Sequence, residues 1–135
     1  MSPALYYLIF AFFSSLMAVL TAALALTRQA RKGRVVLALG LLASAWWAFF
    51  EGFLFSTGGF ESKLLLSRVQ YFGIVAVPPL IFFYMVDYVG TLRTWRRSIA
   101  VALAIVPVIM LVLVWTNPYH QLVWANVELT TVDNV

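Results

Sequence analysis

Glu51 and Arg68 are the two ionisable side chains set deepest inside apolar stretches of this sequence. A carboxylate and a guanidinium withdrawn from water are costly alone. When they meet, they form a charge-assisted pair able to hold a small polar molecule. Trp47 stands one turn before Glu51, Tyr71 and Phe72 stand one turn after Arg68, and Gln70 adds an amide. Polar heads against an aromatic wall are the makings of a small-ligand pocket. Its candidate binding residues are Trp47, Glu51, Arg68, Gln70 and Tyr71. The same two charges serve equally well as a pin that fixes helix register. Residue types alone leave both readings open.

Other chemistries find little material. There is no cysteine, hence no thiolate and no disulfide framework, and His120 is the only histidine. One histidine with scattered acids makes no metal site. Asp87, with Tyr84 and Tyr88 close by, lies near a span end. It reads as an interfacial charge within reach of Arg93, Arg96 or Arg97 rather than as a proton relay, which would need further acids in line. Phosphate loops, dinucleotide fingerprints and nucleophile elbows are absent. No span carries a lysine for a Schiff base. The expectation is therefore no catalytic residue, no metal, no cofactor and no enzymatic activity.

The elements that position Glu51 and Arg68 follow from composition. Of 135 residues, 64% are apolar and 10% charged, and the mean hydropathy is +0.96. Soluble domains carry about 25% charged residues, so a water-soluble enzyme domain is excluded and an integral membrane protein implied. Cutting the chain at its charges leaves four stretches, at about 4–27, 35–55, 64–89 and 99–115. At 1.5 Å per residue each spans a hydrocarbon core of about 30 Å, the last with little to spare. Without water the backbone must satisfy itself, so all four are expected to be helices. The fold class is all-α, an integral membrane four-helix bundle, followed by an extracytoplasmic segment over 117–135. Counting from the span ends puts Glu51 and Arg68 both about 8–10 Å deep, on antiparallel neighbours, where they can meet.

Orientation follows from the basic residues. Arg28, Arg31, Lys32 and Arg34 lie between spans one and two, and Arg93, Arg96 and Arg97 between spans three and four, with no acid in either connection. The connection between spans two and three has Lys63, and the tail after Trp115 has no Lys or Arg. The positive-inside rule places both basic loops in the cytoplasm, where they contact anionic lipid heads, and both termini outside. A nucleic-acid role for these loops is not expected, since neither forms a groove-reading element. Ala23-Leu24-Ala25 resembles a signal-peptidase site, yet no basic residue precedes the apolar run and the run is too long for a signal sequence.

Small residues at four-residue spacing, Gly40, Ser44, Ala48 and Gly52 on span two and Ser14, Ala18 and Ala22 on span one, predict close helix packing. Tyr6, Tyr7, Trp95, Trp115, Tyr119 and Trp124 suit membrane interfaces. Pro78-Pro79 in span three and Pro107 in span four are expected to bend their helices and free carbonyls that need a partner or a water-filled cavity.

Three stretches together resemble the N-terminal seven-helix membrane sensor region of histidine kinases. They are Trp47-Ala48-Phe49-Phe50-Glu51, then Arg68-Val69-Gln70-Tyr71-Phe72-Gly73 with Pro78-Pro79 and Tyr88-Val89-Gly90, and finally Trp115-Thr116-Asn117-Pro118-Tyr119-His120-Gln121-Leu122-Val123-Trp124. The last is similar to the family's Thr-Asn-Pro…His…Trp stretch after the fourth helix. The resemblance implies a sensory domain that continues through three more helices to a cytoplasmic output module, so that this chain corresponds to its first half and any kinase chemistry would belong to a C-terminal module absent from this chain. The resulting expectation is a multi-pass plasma-membrane sensor and signal-transduction module that detects a small ligand or membrane cue from the outer side. Its partners would be the lipid bilayer, that ligand, and further transmembrane helices or a second copy. A small oligomeric transporter or channel subunit and a non-binding scaffold are the alternatives.

Overall fold

A computed structural model of the chain describes residues 3–27, 33–90 and 93–125. Four helices follow one another: α1 (Pro3–Thr27), α2 (Arg34–Ser56), α3 (Phe60–Val89) and α4 (Arg96–His120), the last entered through a 3-10 turn at Arg93–Trp95. All four are long and apolar enough to cross a membrane. The protein is thus a multi-pass, all-α membrane bundle, and no strand occurs among the described residues. Arg28, Arg31, Lys32 and the side chain of Arg93 lie outside the described residues.

Two helices extend beyond their apolar stretches. α3 begins at Phe60 and takes Glu61 into its first turn, where a carboxylate complements the helix dipole. α4 continues to His120, beyond the apolar stretch at about 99–115, so Asn117-Pro118-Tyr119-His120 is the last turn of a helix. Pro118 only forfeits a donor to the Val114 carbonyl, and the end is closed by the Gln121 amide donating to the Asn117 carbonyl at 2.8 Å. The opposite end of α3 stops at Gly90, whose φ of 75° is the left-handed conformation that glycine adopts without strain. α3 runs as one helix through Pro78-Pro79, and α4 through Pro107.

Extensive contacts join consecutive helices, α1 to α2 and α2 to α3, and more sparingly α3 to α4. Against α1, the Ser15 hydroxyl donates to the Ala45 carbonyl at 2.9 Å. Phe12 packs edge-on against Phe49 and Phe53, each with ring centroids 5.4 Å away. Buried Ala11, Ser15 and Ala22 form the α1 seam, displaced from the expected Ser14-Ala18-Ala22 ridge and sharing only Ala22. The α2 ridge serves two neighbours: Gly52 faces Ala11 and Phe12 of α1, whereas Gly40 faces Leu80 of α3. α2 therefore sits between α1 and α3, and its small residues let both approach.

Candidate functional site

α3 is two-sided, and its sidedness decides where each polar group points. Successive residues on a helix are rotated by about 100°, so positions two apart face nearly opposite ways and positions three or four apart share a face. The side toward α2 carries Gln70, Gly73 and Leu80. Gln70 is 6% exposed, and its amide donates to the Glu51 carboxylate. One turn on, a methyl group at Gly73 would lie 2.6 Å from the Ala43 carbonyl and 2.9 Å from the Trp47 amide nitrogen. Only glycine fits there, and its absent side chain lets the two backbones touch. Beside it the Trp46 indole N–H donates to the Val69 carbonyl at 2.9 Å. Trp46, Glu51, Gln70 and Gly73 thus form one junction between α2 and α3.

Arg68 points elsewhere. Two residues before Gln70, it shares its face with Tyr71 and Phe72, which lie toward α4 and the segment after it. Phe72 meets Trp115 edge-on at 6.2 Å and Tyr71 meets Trp124 at 5.2 Å. Glu51 and Arg68 form no ion pair, whereas Asp87 is paired with Arg96. The depth estimate matched the two groups in level, but the rotation between Arg68 and Gln70 gives the α2 face to the amide. The Arg68 Nε is buried without a hydrogen-bond partner among the described residues. A buried guanidinium N–H with no acceptor is expensive, and it stands beside an aromatic surface. Of the five expected pocket residues, the structure joins Glu51 to Gln70 and sets Arg68 and Tyr71 on the other side of α3. The Trp47 side chain is joined to neither group, and the residue is 43% exposed; its neighbour Trp46 donates a hydrogen bond to α3.

The segment after α4 is held by Asn117, which is buried. Its side-chain oxygen accepts from the Val123 and Trp124 amides at 2.9 and 3.2 Å, and its nitrogen donates to the Trp124 carbonyl at 3.0 Å. His120 adds a second tie: Nδ1 accepts from the Leu122 amide at 3.1 Å while Nε2 meets the Thr116 hydroxyl at 2.9 Å. Thr116 in turn donates to the Val112 carbonyl at 2.6 Å. An amide proton on one ring nitrogen fixes the neutral tautomer with its proton on Nε2. Together these bonds fold the chain back and bring Trp124 onto Tyr71. In the sequence Asn117 marked only a motif; its role as the anchor of Trp124 carried no spacing signal.

At the other end of α3, Asp87 accepts from Arg96 Nε and a second guanidinium nitrogen at 2.9 and 3.1 Å. Arg96 also lies over the Phe83 ring at 5.1 Å. Of the three arginines expected near Asp87, Arg96 takes it. Between this clamp and the Phe72–Trp115 contact, α3 and α4 are separated by two apolar clefts of about 340 and 520 Å³, which share Pro79, Leu103 and Pro107 as their common wall. α4 is consequently fixed to α3 at its two ends and lightly in between.

A family model described as the N-terminal 7TM region of histidine kinase matches residues 10–135. No curated protein and no solved structure matches the chain.

Proposed function

Because this chain belongs to the family of N-terminal 7TM regions of histidine kinases, we propose that it is a membrane sensor module responding to a small ligand or membrane cue at the helix ends that carry Glu51 and Arg68. The ligand site comprises Arg68, Gln70 and Tyr71 with Glu51 and Trp47 of α2. The seven basic residues of the two connections face the cytoplasm, so the site opens outward and both termini are extracytoplasmic. Enzymatic activity belongs to an output module and not to these helices.

One observation carries this reading: the Arg68 Nε is buried at membrane depth and lacks an acceptor, next to rings that Trp115 and Trp124 hold in place. A ligand that presents an acceptor to Arg68 would satisfy a group the protein leaves unsatisfied. It acts as a signal only by binding one arrangement of α3, α4 and the 121–124 segment better than another. The light α3–α4 junction is the element able to change. Lipid surrounds the helices, and further helices or a second copy cover the outer face of α4. The transport alternative draws no support from α3, which continues unbroken through Pro78-Pro79 where a broken helix would be needed.

A thermal-shift screen of the purified chain against small carboxylates, amines and neutral apolar compounds tests the proposal. The expected result is a compound that raises the melting temperature of wild type and loses that effect in Arg68→Leu, with Glu51→Gln altering it. If no compound discriminates wild type from these variants, the site does not sense a ligand.

A further inference from the structure

The larger cleft between α3 and α4 is lined by Ile74, Val75, Pro78, Pro79, Leu103 and Pro107, with further apolar residues. The prolines remove three backbone donors. In an α-helix the N–H of residue i bonds to the carbonyl of residue i−4, and proline has no N–H. Pro78 therefore leaves the Ile74 carbonyl without its regular donor, Pro79 that of Val75, and Pro107 that of Leu103. All three carbonyl-bearing residues line this one cleft. The smaller cleft has only Leu103 of the three.

The positions are near the middle of α3 and of α4, hence near the bilayer midplane. Lipid tails offer no donor there, and an unsatisfied carbonyl in hydrocarbon costs several kcal/mol. Nor does the cleft help itself, because every lining side chain is aliphatic, aromatic, proline or methionine. Its volume of about 520 Å³ falls within the range of small-molecule sites, about 300–1,000 Å³.

We infer that this cleft is a second binding site, at membrane mid-depth and separate from the Arg68 end, for an apolar molecule that carries a hydroxyl donor. The apolar body fills the space between the helices, and the single hydroxyl proton exchanges among the three carbonyls that Pro78, Pro79 and Pro107 leave without their regular donor, bonding to one at a time. Such an occupant bridges α3 and α4 where they touch least.

The test compares 4-butylphenol with its methyl ether, 4-butylanisole, which has the same apolar body and no donor. The chain is prepared in detergent micelles with carbonyl-13C isoleucine, valine and leucine, and carbonyl resonances are followed by NMR. The expected result is a saturable shift at Ile74, Val75 and Leu103 with the phenol and none with the ether. Pro107→Ala restores an N–H to Leu103 and should abolish its response while Ile74 and Val75 still respond; Pro79→Ala should do the same for Val75. Equal shifts with both compounds, or none with either, overturn the inference. None of these outcomes bears on Arg68, so this site and the sensor proposal stand or fall separately.

Discussion

Gln70 and Arg68, two residues apart on α3, point to opposite sides of it: Gln70 donates to Glu51 of α2, and Arg68 shares the face on which Phe72 meets Trp115 of α4. One helix thus carries a satisfied polar group at a tight junction and, on the face whose Phe72 meets α4, an arginine whose Nε is buried without a partner. In the proposed reading the tight junction holds still and the loose α3–α4 junction responds.

At the tight junction, replacing Gln70 with Leu leaves the Glu51 carboxylate without its donor at membrane depth. The expected loss is about 1–3 kcal/mol, read as a lower unfolding midpoint in micelles. Glu51→Gln keeps an acceptor for the Gln70 amide and should stay within about 1 kcal/mol of wild type. Equal losses in the two variants would show that Glu51 needs its charge rather than this bond.

Gly73 sets the approach of α2 and α3. In Gly73→Ala the new methyl meets backbone at 2.6 and 2.9 Å, and backbone cannot rotate aside. The helices must separate, at a cost of about 1–3 kcal/mol, and the Trp46 bond to Val69 should be lost with them. A methyl at Gly40 would meet the Leu80 side chain at 3.6 Å, an ordinary contact, so Gly40→Ala is the tolerated control. Thermal melting and Trp46 indole N–H exchange check both.

Asn117→Ala removes three of the four bonds that fold the 122–124 segment back and leaves the tie from the Leu122 amide to His120. Hydrogen exchange at the Val123 and Trp124 amides should accelerate, and the Trp124 ring should leave Tyr71, while helix content by circular dichroism stays unchanged. Destabilisation of about 1–3 kcal/mol is expected from the buried groups left unpaired. Unaltered exchange at these two amides would show that another contact anchors the segment.

The Asp87–Arg96 clamp should contribute little globally, because the Arg96 side chain is 52% exposed. Asp87→Asn is expected to stay within the small range of an exposed ion pair, with the difference from wild type shrinking as salt is raised. Its effect should be local: faster amide exchange around Trp95 and the first turn of α4. A loss well above this range would mark the clamp as a structural centre.

The architecture was largely legible in the sequence, because the bilayer leaves few choices. A run of apolar residues long enough to cross it has to be a helix, and the four stretches around 4–27, 35–55, 64–89 and 99–115 correspond to α1 to α4. The site was legible only in part. Depth along a helix can be counted from its ends, so Glu51 and the Arg68–Tyr71 turn fell at similar levels. Rotation about the axis depends on which neighbour α3 packs against, and that is settled by Gly73, whose significance is the absence of a side chain. The choice of Gln70 over Arg68 as the Glu51 partner follows from that contact. The fourth apolar stretch, about 99–115, stops short of the last turn of α4 because hydropathy does not record hydrogen bonding; the Gln121 amide closes the helix on the Asn117 carbonyl, so α4 runs on through Pro118.

The central claim is that the Glu51 and Arg68 end controls how α4 sits against the rest of the bundle. The chain has no cysteine, so spin labels can be placed at Val35→Cys on α2 and Ser98→Cys on α4, at the end away from Arg68. Double electron–electron resonance between them in nanodiscs measures whether a change at one end reaches the other. The account predicts that Arg68→Leu displaces the mean distance by about 1–2 Å, a typical helix shift, relative to the same labelled pair with Arg68 intact. Superimposable distance distributions with Arg68 and with Leu at that position would contradict it.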